Sequence, residues 1–183
     1  LRAAVAAAEE HAANTAMEFC SPFDDPAVVA GQGTLGLELL DDIDDIATVI
    51  VPLGGGGLIS GVAIAVKSAR PGVRVVGVQA SVCAPYAGGS VAEGPVLTLA
   101  DGIAVKYPGR VTGPLVRQWV DDIVTVDEDS IADAMVLLMD RAKLYAEGAG
   151  AVGVAALMSG VVTPDEIGTT CVVISGGNVD LGV

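Results

Sequence analysis

Basic residues are scarce in this chain of 183 residues: nine Lys and Arg stand against 23 Asp and Glu, a formal net charge of -14. Nucleic acids and anionic membranes are bound through clustered positive charge, so neither is an expected partner. Aromatic residues are few, with one Trp, three Tyr and two Phe. The core must then be built from Val, Ala, Leu and Ile, the palette of a buried parallel sheet between helices. Long apolar runs are missing, since nothing approaches the ~18 uninterrupted apolar residues of a membrane span. Glu9, Glu10 and His11 stand where a secretion signal needs an apolar stretch. The three cysteines, Cys20, Cys83 and Cys171, are far apart and odd in number. That pattern fits reduced thiols in a cytoplasmic protein better than a disulfide framework.

What the chain has in quantity is glycine, 24 residues of it. Residues 2–13 are Ala-rich and read as a helix, and Thr15–Cys20 as a short strand. Asp24 and Asp25 precede Pro26, which suits a first helical turn, and Ala27–Leu40 follows as a helix. Gly31, Gly33 and Gly36 interrupt that helix at a cost in stability, so the spacing predicts close approach of another backbone. Thr48–Val51 is a β-branched strand, Leu58–Arg70 a helix, and Arg74–Gln79 a second strand, together a βαβ crossover. Residues 80–113 are irregular. A short helix over 113–120, a strand over Asp122–Val126, a helix over Asp127–Lys143, a small-residue helix over Glu147–Ser159 and a strand over Thr170–Ser175 complete the pattern. Alternating strands and helices predict an α/β fold with a mostly parallel sheet flanked by helices.

Four consecutive glycines, Gly54–Gly57, lie between the first strand and its helix. In a βαβ unit that turn is where ligands bind. A helix N-terminus there offers unpaired N–H groups to an anion, and glycine leaves the approach open. No Lys or Arg occurs between Arg2 and Lys67, so any phosphate would be held by neutral backbone donors. The alternative is a tight strand–helix turn without a ligand. A nucleotide P-loop is excluded because Val62 stands where its Lys belongs. The G-x-G-x-x-G run Gly148–Gly153 follows a helix-like stretch rather than a strand, so it reads as a small face for close packing. Ser175, Gly176, Gly177 and Asn178 follow the last strand. If that strand lies beside Thr48–Val51, both polar turns open on one sheet edge.

These segments, in this order, resemble the threonine dehydratase (threonine ammonia-lyase) family: PFDDPAVVAGQGTLGLELL, VIVPLGGGGLISGVAIAVKSARPGVRVVGVQ, LADGIAV, WVDDIVTVDEDSI, EGAGAVGVAAL and VVISGGNVDL. Serine dehydratases and serine racemase are near relatives. The resemblance runs from about Ala13 onward and implies the large-domain portion of the tryptophan-synthase-β-like fold (fold type II) of pyridoxal 5'-phosphate enzymes. It implies that Gly54, Gly55, Gly56, Gly57 and Leu58 cradle the cofactor phosphate, and that Ser175 faces the pyridine nitrogen. Gly102, Glu147, Gly176 and Asn178 match positions near the ring. Glu147 also suits a helix N-terminus on electrostatic grounds alone. The implied reaction is β-elimination of L-threonine to 2-oxobutanoate and ammonia, or of L-serine to pyruvate, in a homo-oligomer acting on a small amino-acid substrate. Racemase activity, or a non-catalytic phosphate-binding module, are the competing readings.

The chain departs from the family pattern in two ways. The Ser-Phe-Lys-type motif that carries the Schiff-base lysine is absent, as is the loop that grips the substrate carboxylate. Lys67, Lys106 and Lys143 do not match the catalytic position, and Lys67 and Lys143 read as solvated surface residues. The expectation is that residues 1–183, which begin with Leu1 rather than Met, form the C-terminal part of one catalytic domain and contain no catalytic residue. Gln79 and Pro85 stand where racemase-like relatives carry acidic metal ligands, so no metal site is expected.

Overall fold

A computed structural model describes residues 2–89 and 93–179, so Asp180 of the terminal loop lies outside them. The chain runs through α1 (Arg2–Ala13), α2 (Pro26–Asp42), β1 (Ile46–Pro52), α3 (Gly57–Ala69), β2 (Arg74–Ala80), a 3-10 turn (Asp101–Ile103), α4 (Thr112–Trp119), β3 (Asp122–Val126), α5 (Glu128–Leu137), a π-turn (Leu138–Ala142), α6 (Gly148–Met158) and β4 (Thr169–Val172). Among the described residues the sheet has four strands in the order β3-β2-β1-β4, and every pair is parallel. Parallel neighbours need crossovers, and helices on both faces supply them.

Successive β1 side chains point to opposite faces. Val49 and Val51 join Ile59, Val62, Val66 and Val116 from α3 and α4. Ile50 joins Val76, Val78, Ile131, Val152 and Ala155 on the other face, beneath α5 and α6. Helix starts follow local chemistry. The Asp25 carboxylate accepts from the Ala27 N–H at 2.7 Å, ahead of Pro26, and Asp127 accepts from the Ser130 N–H at 2.8 Å.

The glycines of α2 are used as expected, except Gly31. A Cβ on Gly36 would fall 2.9 Å from the Ala65 Cβ, and one on Gly61 2.3 Å from the Val29 carbonyl oxygen, so α2 and α3 cross almost backbone to backbone. Gly31 meets nothing within 4 Å. The small residues of α6 let it lie directly on the sheet: a Cβ on Gly153 would fall 2.6 Å from Val172 Cγ1.

Three sequence-based boundaries shift. Thr15–Cys20 contains no strand, because a strand exists only through a ladder partner and this stretch has none among the described residues. The helix expected over Asp127–Lys143 is α-helical only to Leu137. It then widens into a π-turn, with the Leu144 N–H reaching back to Leu138 and Lys143 at φ 58. The last strand ends at Val172, although the Val173 N–H still donates to Ile50. The next residue on the β4 side of β1, Pro52, has no N–H to give, while the Leu53 N–H continues the ladder to Val78 of β2, and β1 and β4 part here.

Candidate functional site

That parting sits where the strand order reverses: β2 and β3 lie to one side of β1 and β4 to the other. In open α/β sheets the crevice outside the carboxyl ends of such strands is the binding position. The Gly54–Gly57 turn leaves β1 here, and Ser175–Asn178 follow β4 on the same rim. The condition set by the sequence, that the two strands be neighbours, is met.

All four turn glycines are buried, and the reason differs from the one expected. The space their side chains would fill is occupied by the protein itself. A Cβ on Gly54 would fall 2.9 Å from the Ile103 Cα, on Gly55 2.3 Å from the Phe23 Cγ, and on Gly57 2.9 Å from the Phe23 carbonyl oxygen. Gly56 has φ 96, a left-handed conformation that strains other residues. The glycine run is therefore demanded by packing, whether or not a ligand approaches.

What points to a ligand is the state of the N–H groups. The Leu53 N–H donates to Val78 and the Ser60 N–H to Gly56, but among the described residues the six amides from Gly54 to Ile59 meet no acceptor of the chain. Buried N–H groups are rarely left alone. They stand at the N-terminus of a helix of 13 residues, where the peptide dipoles favour negative charge. The Ser60 hydroxyl, in the first turns of the same helix, is buried and also lacks a partner among the described residues. A donor set of this kind, without a cation, fits a phosphate.

The remaining sequence-derived residues gather at the same rim. Leu58 and Ser175 line a cavity of about 450 Å³ with Gln32, Leu35, Leu39 and residues 171–174. Glu147 precedes α6, and its carboxylate accepts from the Asn178 N–H at 3.2 Å. The Glu147 N–H donates to the Gly176 carbonyl at 3.1 Å. The same carboxylate lies 2.4 Å from where a Gly176 Cβ would stand and 3.3 Å from where a Gly102 Cβ would stand. Gly102, Glu147, Gly176 and Asn178 are thus one cluster. Glu147 makes no side-chain cap to its own helix; its carboxylate is directed to the Asn178 N–H instead, at a helix start where the dipole also favours it.

Sequence reasoning missed the scaffold under the turn. Asp24 accepts from the N–H groups of Arg110, Val111 and Thr112 at 2.8, 2.8 and 3.0 Å, and so caps α4. Thr112 Oγ1 donates to the Gly55 carbonyl at 2.6 Å, and Tyr86 Oη to the same oxygen at 3.1 Å. Gln79, fully buried, bridges Leu53, Tyr86 and Ala87. Apart from the short reaches of Gln79 to Tyr86 and Ala87, these contacts join residues 26 to 88 positions apart, which no local pattern encodes.

Partial burial pushes the Asp24 carboxyl up, but the amides of Thr112, Arg110 and Val111 outweigh it and hold it below the usual aspartate range. A carboxyl depressed in the folded state stabilises above its unfolded value and loses that stabilisation as pH falls through the folded one. Asp24→Asn is therefore expected to melt below the wild type by a gap that is full above about pH 5 and closes as pH drops below about 4. Thermal melts across that range check it, and a gap independent of pH refutes it.

Lys67 is not a solvated residue as expected. Its side chain is 17% exposed and pairs with Asp121, just before β3 begins, on the rim opposite the glycine turn. Lys143 donates to the Asp140 carbonyl and Lys106 to that of Gly94. Among the described residues no three His, Cys, Asp or Glu side chains come together as metal ligands, and no helix is long and apolar enough to cross a membrane.

Fold and crevice together define an α/β protein of the parallel-sheet class with a crevice at its switch point. The family model described as pyridoxal-phosphate dependent enzyme matches residues 1–176, and the chain belongs to that family, whose cofactor is pyridoxal phosphate. It is 50% identical over 185 residues to the L-threonine ammonia-lyase of Geobacter sulfurreducens, covering 98% of this chain and 44% of the relative. The structure of the T.th. threonine deaminase superposes with a TM-score of 0.79 at 40% identity, over 87% of this chain and 55% of that one. Maize serine racemase superposes at 0.78 and 37% identity, over 88% and 52%. The chain spans about half the length of the relatives it matches. The expected fold, the parallel α/β large-domain portion of fold type II, is the one found.

Proposed function

We infer that the whole protein is a threonine ammonia-lyase, converting L-threonine to 2-oxobutanoate and ammonia and L-serine to pyruvate. Residues 1–183 contribute the phosphate and ring side of its cofactor site, and the lysine that bonds the cofactor comes from outside them. The observation that carries this reading is the set of six unmatched amides from Gly54 to Ile59 on the same rim as Ser175. Gly54–Gly57 and Leu58 would hold the phosphate. Ser175 would meet the ring nitrogen with a neutral hydroxyl, and Gly102, Glu147, Gly176 and Asn178 would border the ring. Pyridoxal phosphate, when bound, supplies the sink for the electrons released at the substrate α-carbon. A hydroxyl at Ser175, unlike a carboxylate, does not hold a proton on the ring nitrogen, which moderates that sink and suits elimination. The acidic chain repels anionic macromolecules, in keeping with a small amino-acid substrate, and the reading carries with it a cytoplasmic homo-oligomer.

The test has two parts. The chain is expected to bind pyridoxal phosphate by absorbance and fluorescence, in competition with inorganic phosphate. Borohydride should leave no reduced adduct on Lys67, Lys106 or Lys143. A specific adduct there, with threonine turnover, overturns the assignment of the lysine. For the whole protein, 2-oxo acid formed from L-threonine supports the lyase. D-serine from L-serine without oxo acid favours the racemase reading that the maize likeness raises.

A further inference from the structure

The Gly55 carbonyl is held by two hydroxyls from separate elements, Tyr86 on the loop after β2 and Thr112 at the first position of α4. Among the described residues every peptide bond is trans, and in a trans peptide C=O and N–H point in opposite directions. A Gly55 carbonyl turned to these hydroxyls turns the Gly56 N–H away from them, into the set without acceptors. Between two glycines either peptide orientation is sterically open, so an external contact must choose one. Tyr86 is suited to choosing: burial pushes its phenol up, so it stays a donor.

We propose that Thr112 and Tyr86 are positioning residues that select the peptide orientation in which the Gly56 N–H donates to the phosphate, and that Asp24 fixes Thr112 for this task. The proposal rests on the reading of residues 54–59 as a phosphate cradle. The Asp24 carboxylate gathers the amides of Arg110, Val111 and Thr112, which lead into α4, and lies 3.4 Å from Thr112 Oγ1. Thr112 is fully buried. Its hydroxyl is thereby aimed at Gly55 without itself reaching the ligand.

The experiment compares pyridoxal phosphate with pyridoxal, which lacks the phosphate, on the full chain. Thr112→Val, nearly isosteric but without the hydroxyl, is expected to weaken pyridoxal phosphate about tenfold and leave pyridoxal within about twofold. Thr112→Ser restores wild-type affinity. The Gly56 amide proton moves downfield when inorganic phosphate is added to the wild type and the serine variant, and stays put in the valine variant. A folded Thr112→Val protein with wild-type affinity and shift overturns the proposal, as does an equal loss for both ligands. Should Thr112→Val fail to fold, Tyr86→Phe decides: about a threefold loss confined to the phosphorylated ligand supports the proposal, and no loss overturns it. A wild type that binds neither pyridoxal phosphate nor phosphate sinks the cradle reading and this proposal together. A wild type that binds while both variants behave identically to it sinks this proposal alone.

Discussion

Gln79→Leu is expected to lower the unfolding free energy by about 3–4 kcal/mol, measured by urea denaturation at neutral pH. Gln79 is fully buried at the end of β2. Its Nε2 donates to the Leu53 carbonyl at 3.1 Å, and its Oε1 accepts from the Tyr86 and Ala87 N–H groups at 3.0 and 3.2 Å. Leucine fills similar space and answers none of the three. Each backbone group left alone costs about 1–3 kcal/mol when buried. Tyr86 is half-buried and Ala87 exposed, so water recovers a share there. A loss under about 1 kcal/mol refutes the bridging role.

The same residue bears on the site. Leu53 immediately precedes the glycine turn, and Tyr86 holds the Gly55 carbonyl from the other side. Gln79 thus ties together the segment entering the turn and the loop that braces it. The position drew notice in the sequence only as the place where acidic metal ligands are missing. Its amide does structural work that a carboxylate performs badly: one end must donate while the other accepts. Gln79→Glu is expected to be the worse of the two variants at neutral pH, because it sets a buried carboxylate against the Leu53 carbonyl.

The parts of the fold legible in the sequence are those with a local signature. β-branched runs marked Thr48–Val51, Arg74–Gln79 and Asp122–Val126, and all three are strands. Asp25-Pro26 and Asp127 marked helix starts, because a cap and its N–H partners lie within three residues. The irregular stretch over residues 80–113 was opaque for the opposite reason. It is organised by side chains from elsewhere: Gln79 at one end, Asp24 at the other, and Glu128 between, which accepts from the Thr98 hydroxyl at 2.6 Å and the Leu99 N–H at 2.8 Å. Glu128 stands in the first turn of α5, where the dipole already explains an acidic residue, so nothing local marks its reach to residues 98 and 99. The glycine run shows in the sequence as an open approach, whereas the structure fills that space with Phe23 and Ile103. Composition reveals that side chains are absent, not whether a ligand or a neighbouring ring takes their place.

Gly55→Ala tests that distinction with the largest expected effect on the site. The added methyl would fall 2.3 Å from the Phe23 Cγ and 2.4 and 2.6 Å from its Cδ atoms. Ordinary relaxation cannot absorb this, because the contact is with the root of the ring rather than its tip. Phe23 cannot retreat freely either: its carbonyl abuts Gly57, and Asp24 next to it is fastened to the amides of Arg110, Val111 and Thr112 at the start of α4. The glycine turn must therefore move. Overpacking of this kind is expected to cost about 3 kcal/mol of stability. Displacement that costs two charge-assisted N–H bonds to phosphate weakens pyridoxal phosphate by about a hundredfold or more. If packing against Phe23 is the cause, Phe23→Leu in the Gly55→Ala background recovers part of both losses, although Phe23→Leu alone is destabilising. A double-mutant cycle measures that coupling. Strictly additive effects would mean that Gly55 is glycine for a reason other than the ring beside it.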